Sequence, residues 1–224
     1  MKNSMKYFIT FLICSLGISS IQAELVWEQG KGWQVEGGVL EPYLGSEGEA
    51  QNALELMNRA KQKQEDNKYM SALGLYDDVI DDYSGSIYAP EALYQSARIR
   101  TKRQQYTKAM EQMDTILRIY PNYPKFNRVI GLQFEIASQL MEGKRPHYFG
   151  MIPGFRDEAL AMDFFEKVLD NAPYSRYAPV ALMNVALIAQ EKNQTDKAID
   201  ALDRLITNYP KSVLAPDAYL NLAE

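Results

Sequence analysis

Apolar residues recur at helical spacing along most of this chain. From Ala50 onward they return every three or four positions, and prolines mark the places where the successive stretches stop. This period places the apolar side chains on one face of an α-helix. The pattern therefore predicts an all-α fold of consecutive helices over residues 50–224.

One short sequence motif, called the repeated phrase below, recurs within the helical part of the chain. Near-copies of it lie at residues 83–90, 172–179 and 209–216, and a shorter version lies at 120–124. The copies begin 37, 52 and 37 residues apart. The spacing indicates one repeated unit with an insertion in the middle interval.

A unit of this length holds two helices and cannot bury its apolar face alone, so the copies are expected to stack into a solenoid. Alanines recur where paired helices must approach closely, as at Ala60, Ala97 and Ala186. This spacing resembles that of tetratricopeptide repeats, which form antiparallel helix pairs in a superhelix. The predicted units cover about residues 50–86, 87–123, 124–175 and 176–212, with a partial fifth unit at 213–224.

The start of the chain is typical of a secretory signal peptide. Lys2 and Lys6 precede an apolar run that closes on small and polar residues up to Ala23, so residues 1–23 are the predicted signal. The run is too short to span a bilayer as a helix. Cys14 lies in the middle of the run without small residues before it, and a cleaved, unlipidated product is expected.

Residues 24–49 are rich in glycine and predict a short irregular arm. Leu25 and Trp27, then Trp33 and Val35, alternate with polar residues, as they would in a hairpin or in an extended arm. We expect the aromatic side chains to pack on the first helices or on a partner.

Serines in the repeated phrase are candidates for capping the helices that follow. Ser86, Ser175 and Ser212 each lie four residues before a proline, which the first turn of a helix tolerates. A serine hydroxyl at the N-cap can accept a hydrogen bond from a free backbone N–H of that turn.

Charge and composition argue against several classes of function. With 24 Lys and Arg against 29 Asp and Glu, the chain has no general positive field for nucleic acid. One Cys and one His cannot supply a zinc site, and His147 has no evident nucleophile beside it. The acidic residues at 77–82 predict a solvated helix face. We therefore expect a non-catalytic protein without cofactor or metal.

The third unit carries an insertion at residues 143–156, between its two helices. Three cations and four large apolar side chains lie on this loop, which contains several glycines and prolines. A loop of this length in a repeat protein serves binding, or it folds back and fills the groove with Phe149 and Phe155. Both alternatives stay open at this stage.

The aromatic-Phe-Gly sequence at 148–150 and the Arg-Asp pair at 156–157 are similar to the inserted loop of the BamD family, and the resemblance covers about residues 50–224. It implies a scaffold of outer-membrane β-barrel protein assembly. Its partners would be the assembly core subunit and unfolded outer-membrane protein segments. The protein would be exported and periplasmic, and peripheral to or anchored at the outer membrane.

The repeated phrase is also similar to that of periplasmic tetratricopeptide proteins of the CpoB type. An adaptor for cell-division or peptidoglycan-synthesis complexes is therefore the alternative function.

In a tetratricopeptide superhelix the first helices of successive units line a groove that accepts an extended ligand. Amide side chains there can pair with a peptide backbone, Lys61 and Arg98 can hold a carboxylate, and Tyr94 can serve as an aromatic anchor. The alternative for each position is an ordinary solvated helix face. The candidate partner-binding residues are Asn58, Lys61, Tyr94, Gln95, Arg98 and Asn184 on the helices, with Tyr148, Phe149 and Arg156 on the insertion.

Overall fold

The computed structural model describes residues 24–36, 47–148 and 152–223. The predicted signal segment 1–23 and Phe149 of the insertion lie outside the described residues. The strands are β1 (Glu24–Glu28), β2 (Gly32–Glu36), β3 (His147–Tyr148) and β4 (Ile152–Pro153). The helices are α1 (Glu47–Glu65), α2 (Tyr69–Asp82), α3 (Ala89–Lys102), α4 (Tyr106–Ile119), α5 (Phe126–Met141), α6 (Glu158–Asn171), α7 (Ala178–Glu191), α8 (Thr195–Asn208) and α9 (Ala215–Ala223).

Each helix packs against the next one along the chain, which confirms the predicted α-solenoid. The pairs are α1 with α2, α3 with α4, α5 with α6, and α7 with α8, while α9 packs on α8. Alanines lie buried where the two helices of a pair meet, because only a small side chain lets the backbones approach. These alanines are Ala60, Ala72, Ala97, Ala109, Ala186 and Ala198.

The turn between the helices of a pair has a recurring backbone geometry. Asn67, Gln104 and Asn193 occupy the same position of the first, second and fourth pairs, and their φ angles are 59°, 58° and 56°. Side chains with a Cβ seldom adopt this left-handed conformation, and asparagine tolerates it best. In the third pair Gly143, with φ of 87°, stands where the insertion begins.

The expectation that serines cap α3 and α7 is wrong. Tyr88 and Tyr177 stand at those N-caps without a side-chain cap, and the Ser86 and Ser175 hydroxyls have no hydrogen-bond partner among the described residues. A short turn separates each serine from its helix, so the backbone carbonyl of Ser86 accepts from the Ala89 N–H instead, at 3.3 Å.

Residues 24–36 of the predicted irregular arm form a β-hairpin, which is one of the two alternatives that the alternating residues left open. β1 and β2 pair antiparallel and place Trp27 opposite Trp33, with ring centroids 5.6 Å apart in an edge-on arrangement. Leu25 and Trp33 are buried in the same apolar cluster as the inner faces of α1 and α2. The Trp33 indole N–H donates to the Met57 carbonyl of α1 at 3.3 Å. The hairpin is therefore part of the core of the first helix pair.

The insertion lies between α5 and α6, where β3 and β4 form a small antiparallel hairpin. The His147 N–H donates to the Gln104 carbonyl at 2.7 Å, so the base of the loop contacts the turn between α3 and α4. Phe155 is 89% exposed and does not fill a groove, contrary to one expectation for this loop. Its side chain stays in solvent because no neighbouring apolar surface covers it in the described part of the chain.

Candidate partner-binding site

A cavity of about 490 Å³ lies between the N-terminal hairpin and the first helices of the first three pairs. We call it the hairpin pocket. Residues 24–27 of β1 and Trp33 of β2 form one wall. The rest is formed by Lys61 of α1, by Glu91, Tyr94, Gln95 and Arg98 of α3, and by Lys125 and Arg128 at the start of α5. Residues from four segments that are distant in sequence thus meet at one site.

Asn58 holds the hairpin against α1. Its Oδ1 atom accepts a hydrogen bond from the backbone N–H of Trp33 at 2.9 Å. This is the amide-to-backbone contact expected for a groove residue and its ligand, but the backbone belongs to the chain's own β2. Gly32 permits the close approach, since a Cβ there would lie 2.6 Å from Asn58 Oδ1.

Lys61 lies one helical turn further along α1. Its Nζ atom is 3.8 Å from a Glu65 carboxylate oxygen and 5.7 Å from the centroid of the Trp27 ring. Burial lowers the pKa of Lys61, while Glu65 opposes this shift and Arg98 adds to it. Lys61 is therefore a partly desolvated cation with an aromatic neighbour at the edge of the pocket.

The floor of the pocket contains a buried ion pair. Lys125 Nζ lies 2.8 Å from Glu91 Oε2, and the two side chains are 7% and 1% exposed. The Tyr123 hydroxyl donates to the same carboxylate oxygen at 2.6 Å, and Gln95 Nε2 donates to Glu91 Oε1 at 2.7 Å. Lys125 also donates to the Leu25 carbonyl at 2.7 Å. The pair is well supplied with hydrogen bonds, as a buried charge requires.

The hydrogen-bond network continues from α3 back to the first helix pair. Gln64 Nε2 donates to Gln95 Oε1 at 3.2 Å, and the Tyr76 hydroxyl donates to Gln64 Oε1 at 2.8 Å. Arg98 donates to the same Gln95 oxygen at 3.2 Å. Gln95 is therefore hydrogen-bonded to three neighbouring side chains and is 5% exposed. It holds the site in order, and its amide is not free to bind a ligand.

The two tyrosines of this network have strongly shifted acidities. Burial and the neighbouring Glu91 carboxylate raise the pKa of Tyr123 well above its usual value. Burial, with a smaller contribution from Glu91, likewise raises the pKa of Tyr76. Both hydroxyls consequently stay protonated and act as donors near neutral pH.

The rim of the pocket is cationic and aromatic. Arg98 and Arg128 line it with exposed side chains, and Tyr94 contributes a half-buried ring packed 6.4 Å from the ring of Tyr123. Apart from the neutralised Glu91, Glu24 is the acidic side chain that lines this pocket in the described residues. The arrangement favours an anionic or hydrogen-bonding ligand.

The structure gathers five of the nine candidate residues around the hairpin. Lys61, Tyr94, Gln95 and Arg98 line the pocket, and Asn58 fixes the strand that forms its wall. Whether these residues contact a partner stays a prediction.

The other four candidates lie elsewhere. Asn184 is half-buried on α7, away from the pocket. Arg156 forms an ion pair with Glu158 at 2.8 Å at the end of the insertion. The backbone of Tyr148 belongs to β3, while its side chain and Phe149 lie outside the described residues.

Sequence reasoning missed Glu91, Lys125 and Arg128 as members of this site. Glu91 follows the Ala-Pro pair of the repeated phrase, where the fourth unit has Val180 and the fifth has Asp217. That comparison shows that the position varies in polarity, but it gives no indication of burial. The partner of Glu91 is 34 residues away and could not be found from helical spacing.

Within residues 24–36, 47–148 and 152–223, no group of three or more His, Cys, Asp or Glu side chains is placed to hold a metal ion. None of the helices in these ranges combines the length and apolar character needed to cross a membrane. In the acidic stretch of α2, Asp77 pairs with Arg100 of α3 at 3.4 Å.

Two of the helix pairs match a known protein family. A family profile described as tetratricopeptide repeat matches residues 91–123 and 180–212, which cover all but the first two residues of the pairs α3 with α4 and α7 with α8. The chain contains tetratricopeptide repeats. A search of curated proteins finds no match. Tetratricopeptide repeats are non-catalytic units of protein–protein interaction, and the function class is accordingly a protein-binding scaffold.

Proposed function

We propose that this protein is an exported, non-catalytic scaffold of outer-membrane β-barrel protein assembly. The observation that carries the proposal is the open pocket on the first helices of the helix pairs, which presents cationic and aromatic side chains to a protein ligand in a chain that contains tetratricopeptide repeats. The resemblance of the third-unit insertion to the BamD loop supports the choice of assembly over other envelope processes.

The proposal assigns separate tasks to separate parts of the chain. The first units bind unfolded outer-membrane protein segments at the hairpin pocket, where Lys61 and Arg98 supply charge and Tyr94 supplies an aromatic surface. The insertion docks on another assembly subunit. Its exposed Phe155 and the cation Arg156 are of types that are enriched at protein interfaces.

Affinity capture tests the assembly role. The tagged chain is expressed in its native cell, and proteins are recovered from the detergent-solubilised envelope. Recovery of the β-barrel assembly core subunit is the expected result. Recovery of peptidoglycan synthases without that subunit would overturn the proposal in favour of the division adaptor, whose support is the repeated phrase.

A triple variant tests the role of the insertion. Replacing Tyr148, Phe149 and Arg156 with Ala removes the side chains that the resemblance assigns to docking, and we expect at least a tenfold loss of captured core subunit. The matched control is Tyr174→Ala, because Tyr174 is 92% exposed in a different loop. Equal losses in both variants, or no loss in the triple variant, would exclude the insertion from the interface.

Localisation is tested at the N-terminus of the purified protein. The proposal places the mature chain outside the cytoplasm after cleavage behind Ala23. Intact-mass measurement of protein from the envelope fraction should give an unmodified chain that begins at Glu24. A mass that retains residues 1–23 would contradict export by cleavage, and an added lipid mass on Cys14 would show membrane anchoring.

A further inference from the structure

The outer edge of β1 has no neighbouring strand in the described part of the chain. β1 and β2 form a two-stranded sheet, and the outer edge of β2 faces α1 through the bond from the Trp33 N–H to Asn58. Trp27 lies opposite Trp33, so its backbone N–H and carbonyl share the outward direction on the other edge. An open edge of this kind accepts an extended peptide.

Lys125 limits how much of this edge is free. It donates to the outward carbonyl of Leu25, which closes the end of β1 near α5. The part that stays available lies around Trp27 and opens directly into the hairpin pocket. A peptide on this edge would run between β1 and α3.

The lining of the pocket carries an excess of positive charge, since four cations, Lys61, Arg98, Lys125 and Arg128, face two carboxylates, Glu24 and Glu91. Arg98 donates to the neutral amide of Gln95 at 3.2 Å. Within the described residues, no carboxylate lies within ion-pair distance of the Arg128 guanidinium. Lys61 has only the longer contact of 3.8 Å to Glu65. The charge of Lys125, by contrast, is matched by Glu91.

We propose that the hairpin pocket binds an extended, acidic segment of a partner protein, which pairs with the edge of β1 at Trp27 and places its carboxylates against Arg98 and Arg128. The segment has acidic residues at every second position, because alternate side chains of a strand point to the same face. The inference rests on the proposed protein-binding function and names the class of ligand and the wall of its site.

The orientation of the hairpin determines which face of the bound segment carries the acidic side chains. Leu25, Trp27 and Trp33 lie on one face of the hairpin, and Leu25 and Trp33 are buried toward the helices. A strand added beside β1 therefore turns one of its own faces toward the helices and the cations. Its other face is solvated, which leaves the residues between the acidic ones unconstrained.

Peptide binding to the full chain tests the proposal. The probe is a fluorescein-labelled nonapeptide of alternating Glu and Val, and binding is followed by fluorescence anisotropy. A second peptide replaces every Glu with Gln, and a third keeps the Glu residues but carries N-methyl groups that block pairing with a strand edge. We expect both changes to weaken binding at least tenfold, and binding of the first peptide to fall as salt is raised.

Two variants test the cations. The Arg98→Gln/Arg128→Gln protein should bind the Glu–Val peptide at least tenfold more weakly and should lose most of the preference over the Gln–Val peptide. The control is Lys211→Gln, which neutralises an exposed cation distant from the pocket and should change affinity less than twofold. Equal affinity for the Glu and Gln peptides in the unaltered protein would overturn the proposal.

The variant Asn58→Ala tests whether the hairpin forms a wall of the binding site or occupies the place of the ligand. It loosens β2 from α1, so binding should weaken if the hairpin forms part of the site. Tighter binding would show that the hairpin occupies the place of the ligand and would overturn the proposal, as would insensitivity to N-methylation.

Failure of this inference is separable from failure of the proposed function. If the assembly core subunit is captured but no acidic peptide binds, the scaffold role stands and the pocket assignment falls. If the peptide binds as described and the core subunit is not captured, the pocket stands and the assembly role falls.

Discussion

Lys125 and Glu91 form an ion pair of 2.8 Å between the start of α5 and the first turn of α3, with both side chains buried. The same ammonium group binds the Leu25 carbonyl, so one cation joins the second and third helix pairs to the N-terminal hairpin. The hairpin pocket owes its shape to this junction.

Breaking the ion pair from one side should be costly. Lys125→Met leaves the Glu91 carboxylate buried without its counter-charge, and we expect the free energy of unfolding to fall by about 3–5 kcal/mol. Urea unfolding followed by circular dichroism measures the change. In the double variant Glu91→Gln/Lys125→Met most of the loss should be recovered, since no unpaired charge is then buried. A double variant as unstable as Lys125→Met alone would contradict this account.

Docking of the hairpin can be observed separately from helix content. Both tryptophans of the chain lie in the hairpin, so intrinsic tryptophan fluorescence reports on it alone. Asn58→Ala removes the acceptor of the Trp33 N–H, and we expect a loss of about 1–3 kcal/mol together with a red shift of the emission. Asn52→Ala, on an exposed position of the same helix, is the control and should leave the emission unchanged. An unshifted spectrum in Asn58→Ala would show that this bond does not hold the hairpin.

Two helical glycines should respond oppositely to alanine. At Gly74 of α2 a new Cβ meets nothing within 4 Å, so Gly74→Ala should stabilise the protein by about 0.5–1 kcal/mol. At Gly131 of α5 the Cβ would lie 2.7 Å from the Tyr177 hydroxyl, and Gly131→Ala should not stabilise. The ring of Tyr177 is stacked on Phe134, which restricts its retreat.

The Tyr177→Phe background separates the clash from other effects at this position. Without the hydroxyl, the added Cβ has room, and Gly131→Ala should then stabilise by a similar amount to Gly74→Ala. Thermal unfolding of the four proteins completes the cycle. A Gly131→Ala effect that is the same in both backgrounds would exclude the Tyr177 hydroxyl as its cause.

Stability should decline at alkaline pH partly through Tyr123. Its pKa is raised in the folded protein by burial and by Glu91, so the fold favours the protonated hydroxyl. This contribution is complete below the unfolded tyrosine pKa of about 10 and is lost as pH rises from there toward the folded pKa. The free energy of unfolding should consequently fall above about pH 10 by up to about 1.4 kcal/mol per pH unit for this group.

The variant Tyr123→Phe should reduce this alkaline slope, apart from a constant loss due to the missing bond to Glu91. Tyr174→Phe, at a position 92% exposed, is the control and should leave the slope as it is. Urea unfolding at several alkaline pH values measures both. Identical slopes for Tyr123→Phe and the unaltered protein would contradict the assigned cause.

The sequence alone determined the helix pairs, because they depend on contacts that repeat at short range. The helical period sets one apolar face for each helix, and alanines such as Ala97 and Ala109 mark where two helices of a pair touch. The repeat spacing by itself therefore places residues of the first helices, Lys61 and Arg98 among them, near one another.

Only the tertiary structure decided which groups complete the site. Leu25 and Lys125 are 100 residues apart, and neither a helical nor a strand period relates their positions. The burial of Glu91 likewise depends on Tyr123 and Lys125 arriving from the next unit. Periodicity describes one element and its immediate neighbours, whereas the energy of a buried charge depends on every group that surrounds it, and those groups come together only when the chain is folded.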